Sequence, residues 1–171
     1  QCRLGILEQA GILNGQGPLV GQGSAPLRQP TRAFAASVAE VTVDPDTGRV
    51  TLTRLTMAQD VGKAINPDLI MTQIEGGAVH GMSSAYEAIK FNEKGEVINP
   101  SFVDYRIATI ADIPRKIHGN YVETPIEDGP WGARGVGEHV MVQTAPAIAN
   151  ALYDAVGIRF SDLPLSADKI Y

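Results

Sequence analysis

The chain has 171 residues, of which 44% are hydrophobic and 19% charged, and its formal net charge is −5. This is enough apolar material for one core, and the acidic balance, with no basic run, argues against a nucleic-acid partner or an anionic membrane surface. A single cysteine, Cys2, excludes an internal disulfide framework, and no stretch has the length and apolarity of a membrane span or the layout of a signal peptide.

The chain begins at Gln1, not Met, and so reads as a cropped or processed piece of something longer. Leu4, Ile6, Leu7, Ala10 and Leu13 have the spacing of one or two helical turns. The rest of residues 1–33 is rich in Gly, Gln and Pro and reads as an irregular segment that packs on a partner or an upstream domain. The domain proper is expected over residues 34–171. It starts with "FAASVAEVTVD", in which Val38, Glu40 and Thr42 alternate with Ala39, Val41 and Val43. "PDTG" follows as a turn, with Gly48 placed for a positive φ, and "RVTLTRLTMAQD" is a second strand, so residues 35–60 predict a β-hairpin.

The period then changes from two to between three and four. Asn66 and Pro67 read as an N-cap and first helical position. Leu69, Ile70, Gln73, Ile74, Gly77, Ala78, Gly81, Met82 and Ala85 predict a long helix, with a small-residue face of Gly76, Gly77, Gly81 and Ser84. Each glycine inside a helix costs about 1 kcal/mol relative to alanine, so a backbone or ligand is expected to pack close there. The middle of the chain reads as strand-rich, with a turn around Gly95 and a strand at "KIHGNYVET". A second long loop, "PIEDGPWGARGVGE", precedes a helix "TAPAIANALYDAVG", with Thr144 as cap, Ile148, Leu152 and Val156 on one face and Gly157 as terminator. The tail predicts a short final helix. The expected fold is α+β, two-layered, with a mixed β-sheet and helices packed on one face.

Chemistry-bearing candidates are few. In "GARGVGEH", three glycines within six residues precede Glu138, the acid just ahead of a helix. Glu138 reads either as a general base on a tight buried loop, its pKa raised by burial, or as an acid favoured by the helix dipole. The glycine order is GxxGxG, which is neither the dinucleotide fingerprint nor a P-loop. Gln73 offers an amide that can read a ring edge with both donor and acceptor, or a solvated helix residue, and Glu75 is a surface charge. His80, His118 and His139 lie too far apart in sequence for a ligand motif, so no protein-ligated metal is expected, although His139 could tune Glu138. Asp104, Tyr105 and Arg106 suggest a structural polar cluster, and no GxSxG elbow supports a hydrolase.

In order, "FAASVAEVTVDPDTGRV", "DVGKAINP", "QIEGGAVHG", "NPSFVDYRI", "ETPIEDGPWGARGVGE" and "PAIANALYDAVGIRFSDLPLSADKI" resemble the C-terminal part of the molybdopterin-binding large subunit of the molybdenum hydroxylases, the family of xanthine dehydrogenase, aldehyde oxidoreductase and carbon monoxide dehydrogenase. The resemblance runs from about Arg32 to the end. It implies that Glu138 lies beside molybdenum without ligating it and acts as the base toward water or hydroxide held by the metal. It implies that Gln73 contacts the pterin, and that Gly135, Val136 and Gly137 bring the backbone against the cofactor. The cofactor implied is molybdenum–molybdopterin, in the cytosine dinucleotide form, with iron–sulfur clusters and FAD on partner chains or domains. The implied partners are the remaining molybdopterin-binding chain or domain, iron–sulfur and flavin subunits, and a small-molecule substrate, in a cytoplasmic compartment with a periplasmic one left open. The substrate could be an aldehyde, an N-heterocycle or carbon monoxide. Where the family often has proline after the glutamate, this chain has His139, and the family's large subunits are several times longer. A non-catalytic assembly module that packs on a partner chain is the alternative reading.

Overall fold

The computed structural model describes Gly23, residues 32–127 and residues 129–171. The expected N-terminal helical turns and the rest of the 1–33 segment, Arg32, Ala33 and Gly23 apart, lie outside these residues.

Strands β1 (Ala35–Val43) and β2 (Val50–Asp60) form the predicted antiparallel hairpin. Ala39, Val41 and Val43 face the core, and Val38, Glu40 and Thr42 face out. One feature of β2 breaks strict alternation. Glu40 opposes Arg54 and Val41 opposes Leu52, so Thr53 is an extra residue in a β-bulge. The bulge lets Leu52 and Leu55, three residues apart, both point inward; without it one of them would face solvent. The Thr53 hydroxyl donates to the Glu40 carbonyl at 3.0 Å and holds the kink.

In the hairpin turn the Asp46 amide donates to the Asp44 carboxylate at 2.9 Å. This bond, helped by the Thr47 hydroxyl, holds the Asp44 carboxyl below its ordinary range. Gly48 adopts φ +67°, as expected. A Cβ there would meet the Ala167 carbonyl at 2.5 Å, so the turn also seats the terminal helix.

Helix α1 (Pro67–Tyr86) starts at Asn66, whose side chain accepts from the Leu69 amide at 3.0 Å, with Pro67 in the first turn. Its buried face is Ile70, Ile74, Gly77, Ala78, Gly81, Met82 and Ala85. Leu69 and Gln73, expected on that face, are exposed instead. After α1 the expected strand-rich middle is mostly turns. The Gly95 turn is present, with φ +80°, closed by a single bridge between Phe91 and Val97. Buried Asn99 holds this segment by accepting from the Lys90 amide at 2.8 Å and donating to the Ala88 carbonyl at 2.9 Å. Asp104 accepts from Ser101 within a local turn and joins no cluster with Tyr105 and Arg106.

Strand β3 (Lys116–Val122) pairs parallel to β2, giving a three-stranded mixed sheet of order β1-β2-β3. A parallel pair needs a crossover, and α1 with the segment behind it supplies one. A four-residue helix, α2 (His139–Val142), leads through Gln143 into α3 (Thr144–Val156). Thr144 is not the cap predicted for α3. Gln143 is already in the helical region, so no extended residue precedes the helix, and Thr144 is buried. Gly157 terminates α3 at φ +74°, with its amide on the Tyr153 carbonyl at 2.8 Å. Helix α4 (Ala167–Ile170) closes the chain.

The α+β, two-layer expectation holds. α1 packs on β2 and β3, α3 packs on β1, and one core joins Leu55, Met57, Ile74, Met82, Ile148 and Leu152. Two glycines of α1 make this packing possible. A Cβ on Gly77 would collide with Val140 of α2, and one on Gly81 would come within 2.7 Å of the Thr144 hydroxyl. Gly77→Ala is therefore expected to destabilise the fold by about 1–3 kcal/mol through overpacking, despite alanine's better helix propensity, as read from the midpoint of chemical denaturation.

Candidate functional site

The end of β2 and the start of the glycine loop are sewn together. The Asp60 carboxylate accepts from the Gly62 amide at 3.0 Å and faces the Arg134 guanidinium at 3.3 Å. Both side chains are nearly enclosed, at 8% and 10% exposure. Arg134 also donates to the carbonyls of Arg32 and Thr124. Around this pair the backbone is cross-linked: the Arg134 amide donates to the Val61 carbonyl and the Lys63 amide to the Gly132 carbonyl, each at 2.9 Å. Gly62 and Gly132 sit at φ +65° and +85°, and a Cβ on Gly62 would strike the Gly132 carbonyl. These glycines are needed by the chain itself.

The next part of the loop differs. Gly135 and Gly137 are exposed, have no left-handed φ, and a Cβ on either would meet no heavy atom within 4 Å. Glu138 follows in helical conformation, exposed, its side chain capping nothing. The expected buried base is thus not buried within this chain. Glu138 rides on the surface between Val136, which is partly buried against the core, and Val140, which packs into it against Gly77. The helix-dipole reading also has little to act on, since α2 has only four residues. His139 is partly buried with no hydrogen-bond partner for Nε2, and burial holds its pKa below the ordinary 6.5, favouring the neutral ring.

Gln73, exposed on α1, lines a cavity of about 270 Å³ together with Val61, Lys63, Leu69, Arg134 and Val136. The structure thus brings Gln73 and Val136 into one concavity. Two residues past Val136 stands Glu138. Lys63 pairs with Glu123 at 3.2 Å. Glu123 also accepts the Ala64 amide at 2.6 Å, the main reason its carboxyl lies below the ordinary range. His80 and His118 are exposed elsewhere, and among the described residues no group of three or more His, Cys, Asp and Glu could hold a metal ion. A larger cavity, of about 880 Å³, lies among Arg49, Tyr86, Phe102, Arg106, Ile107 and Asp112 and contains none of Gln73, Gly135, Val136, Gly137 and Glu138. Burial there pushes the Tyr86 hydroxyl up to about 12.

The wall residues Val61, Lys63 and Leu69 were not singled out from the sequence, nor was the Asp60–Arg134 pair. The only signals were an acid at the end of a strand and an arginine between glycines.

Residues 14–114 match the molybdopterin cofactor-binding domain family. The chain belongs to this family. It is 35% identical to a nicotinate dehydrogenase chain of Pseudomonas putida over 81% of its own length and 11% of the relative's. It is 33% identical to the aldehyde oxidoreductase molybdenum-binding subunit of Escherichia coli over 80% of its length and 19% of the relative's. Among solved structures, the carbon monoxide dehydrogenase of Oligotropha carboxidovorans superposes with a TM-score of 0.72 at 31% identity, covering 81% of this chain and 18% of that one. The chain therefore spans less than a fifth of the length of each of these relatives.

The residues present fit a pterin held from outside this chain. Bare backbone at Gly135 and Gly137, an exposed amide at Gln73 and an exposed carboxylate at Glu138 face away from the core on neighbouring elements.

The loop's anchor can be tested directly. Asp60→Asn leaves the Arg134 guanidinium buried without a counter-charge and is expected to destabilise the fold by about 3–5 kcal/mol. The double variant Asp60→Leu/Arg134→Met should recover a large part of that loss in the same denaturation experiment, because it removes the stranded charge.

Proposed function

We propose that this chain forms part of a molybdenum hydroxylase and supplies one wall of its active site, with Glu138 as the general base. The observation that carries the reading is the Gly135–Glu138 segment, whose exposed glycines would meet no heavy atom of the described residues if given a Cβ, set beside the Gln73 cavity. When bound, the molybdenum–pterin group supplies the two-electron redox chemistry. The chain's own residues do the rest of what can be assigned. Gly135 and Gly137 let the backbone approach the group without a Cβ in the way. Gln73 presents an amide donor and acceptor to the pterin edge. Glu138 takes a proton at its carboxylate from the water that becomes the product's new oxygen. Burial biases His139 toward the neutral ring, so it places no positive charge beside Glu138 that would weaken the carboxylate as a base.

The cytosine dinucleotide form, iron–sulfur clusters and FAD on partner chains, and a cytoplasmic setting belong to the same proposal. So does a small substrate such as an aldehyde or an N-heterocycle. Relatives named for nicotinate, aldehyde and carbon monoxide match this chain about equally well, at 31–35% identity. The wall built by this chain is accordingly the part of the site that does not choose the substrate, and selection falls to residues outside it.

Glu138→Gln keeps the side chain's shape but cannot accept a proton. The assembled enzyme carrying it is expected to retain molybdenum and pterin while substrate-driven reduction slows by at least about 100-fold, the low end of what a general base contributes. Rapid mixing with substrate measures this, and chemically reduced enzyme should reoxidise normally. A rate within a few-fold of the parent would remove Glu138 from the mechanism and favour an assembly module.

Gln73→Ala tests the other half of the wall. If its amide is covered by the pterin, the partner atoms left unpaired should weaken cofactor binding by about 1–3 kcal/mol. Pterin and molybdenum content per assembled enzyme should fall while the fold's denaturation midpoint stays put.

A further inference from the structure

Nothing within the described chain accounts for Gly76. It sits in the middle of α1 on the exposed side, where glycine weakens a helix relative to alanine. Its neighbours Gly77 and Gly81 are explained by Val140 and Thr144, but a Cβ on Gly76 would meet no heavy atom within 4 Å, and its φ is not left-handed. Its position is defined on both sides. Three residues earlier, on the same helical face, Gln73 shares its cavity with Val136, two residues before Glu138. One residue later, Gly77 abuts Val140, two residues after Glu138. Along the axis of α1, Gly76 therefore falls between Gln73 and Gly77, on the exposed side of the helix next to Gln73.

We propose that Gly76 is a positioning residue for the pterin: its bare backbone lets the flat ring system lie against α1 between the Gln73 amide and the Gly135–Gly137 backbone. The inference rests on the function proposed above. A methyl group at this point would push the ring outward by roughly a bond length, a displacement large enough to spoil alignment at the reacting centre.

The test uses the assembled enzyme with its native partner polypeptides, as the parent, Gly76→Ala and Gly76→Leu. Four quantities are read: thermal midpoint of the cofactor-free form, pterin released and quantified by fluorescence, molybdenum, and subunit stoichiometry. Alanine and leucine are both better helix formers than glycine, so the midpoint should rise in both variants. Pterin content should move the opposite way, at least threefold lower with alanine and tenfold lower with leucine, with subunit stoichiometry unchanged. A purely structural role for Gly76 cannot give opposite trends. Parental pterin content in both variants would overturn the inference while leaving the function standing. Loss of partner subunits with pterin retained would overturn it in favour of a protein contact. A parent enzyme without pterin would remove the function itself, and this inference with it.

Discussion

Most of what is specific about this domain depends on the enclosed pair between Asp60 and Arg134. Two opposite charges with about a tenth of their surface in water are a poor source of net stability, because desolvation offsets most of their attraction. Their value lies in direction. Asp60 is the last residue of the central strand, held in register by β1 on one side and β3 on the other. Arg134 lies in the loop between β3 and α2, next to the backbone bonds that also tie this loop to the end of β2. Joining the two places the loop relative to the central strand, and the guanidinium's terminal nitrogens donate to the carbonyls of Arg32 and Thr124. What leaves Arg134, namely Gly135 to Glu138, inherits that placement.

The far end of the same segment is fixed by a different kind of interaction. Val140 fills the notch that Gly77 leaves in α1, and Thr144 fills the one at Gly81. These contacts are close and short-ranged, and they tolerate no added atom, which is why the helix accepts glycine at its core-facing positions. The loop is thus a span with a polar anchor at Arg134 and a packed anchor at Val140, and Glu138 lies between them. A carboxylate carried on a flexible tether would reach a reacting atom only part of the time. One carried on a span fixed at both ends is held in place before any ligand arrives.

The sequence made most of this legible where a single residue type has a single physical use. Asn66–Pro67, Gly48 and Gly157 were readable because caps and positive-φ positions admit few alternatives. The β1 alternation was readable because one face is buried. The failures have equally specific causes. Leu69 and Gln73 fit the helical period but fall at its edge, and periodicity alone does not say how wide the buried stripe is. Thr144 has the right residue type for a cap, yet α2 runs straight into α3 and leaves no helix end to cap. The strand-rich reading of the middle holds at β3 and shrinks to one bridge, Phe91–Val97, around Gly95, and the apolar Phe102, Val103 and Ile110 between them are exposed. For the site, the resemblance pointed to Gln73 and Glu138, but the Asp60–Arg134 anchor was invisible. An ion pair across 74 sequence positions, as the residue numbers give it, leaves no local pattern.

The glycines of the loop sort into two populations, and the division bears on function. Gly129 and Gly132, like Gly62 at the end of β2, are demanded from within: a Cβ on each would run into a backbone carbonyl or a packed side chain. Gly135 and Gly137 are demanded by nothing among the described residues. Backbone freedom destabilises a fold through the entropy it must lose, so an unneeded glycine on an ordered surface is a standing disadvantage. The order along the chain is also informative. The internally required glycines come first and set the path of the loop; the outward ones come last, directly before the carboxylate. A loop whose only task was to connect β3 to α2 would need the first group and not the second. Under the function proposed above, the second group is clearance for the cofactor's surface, immediately beside the Glu138 carboxylate.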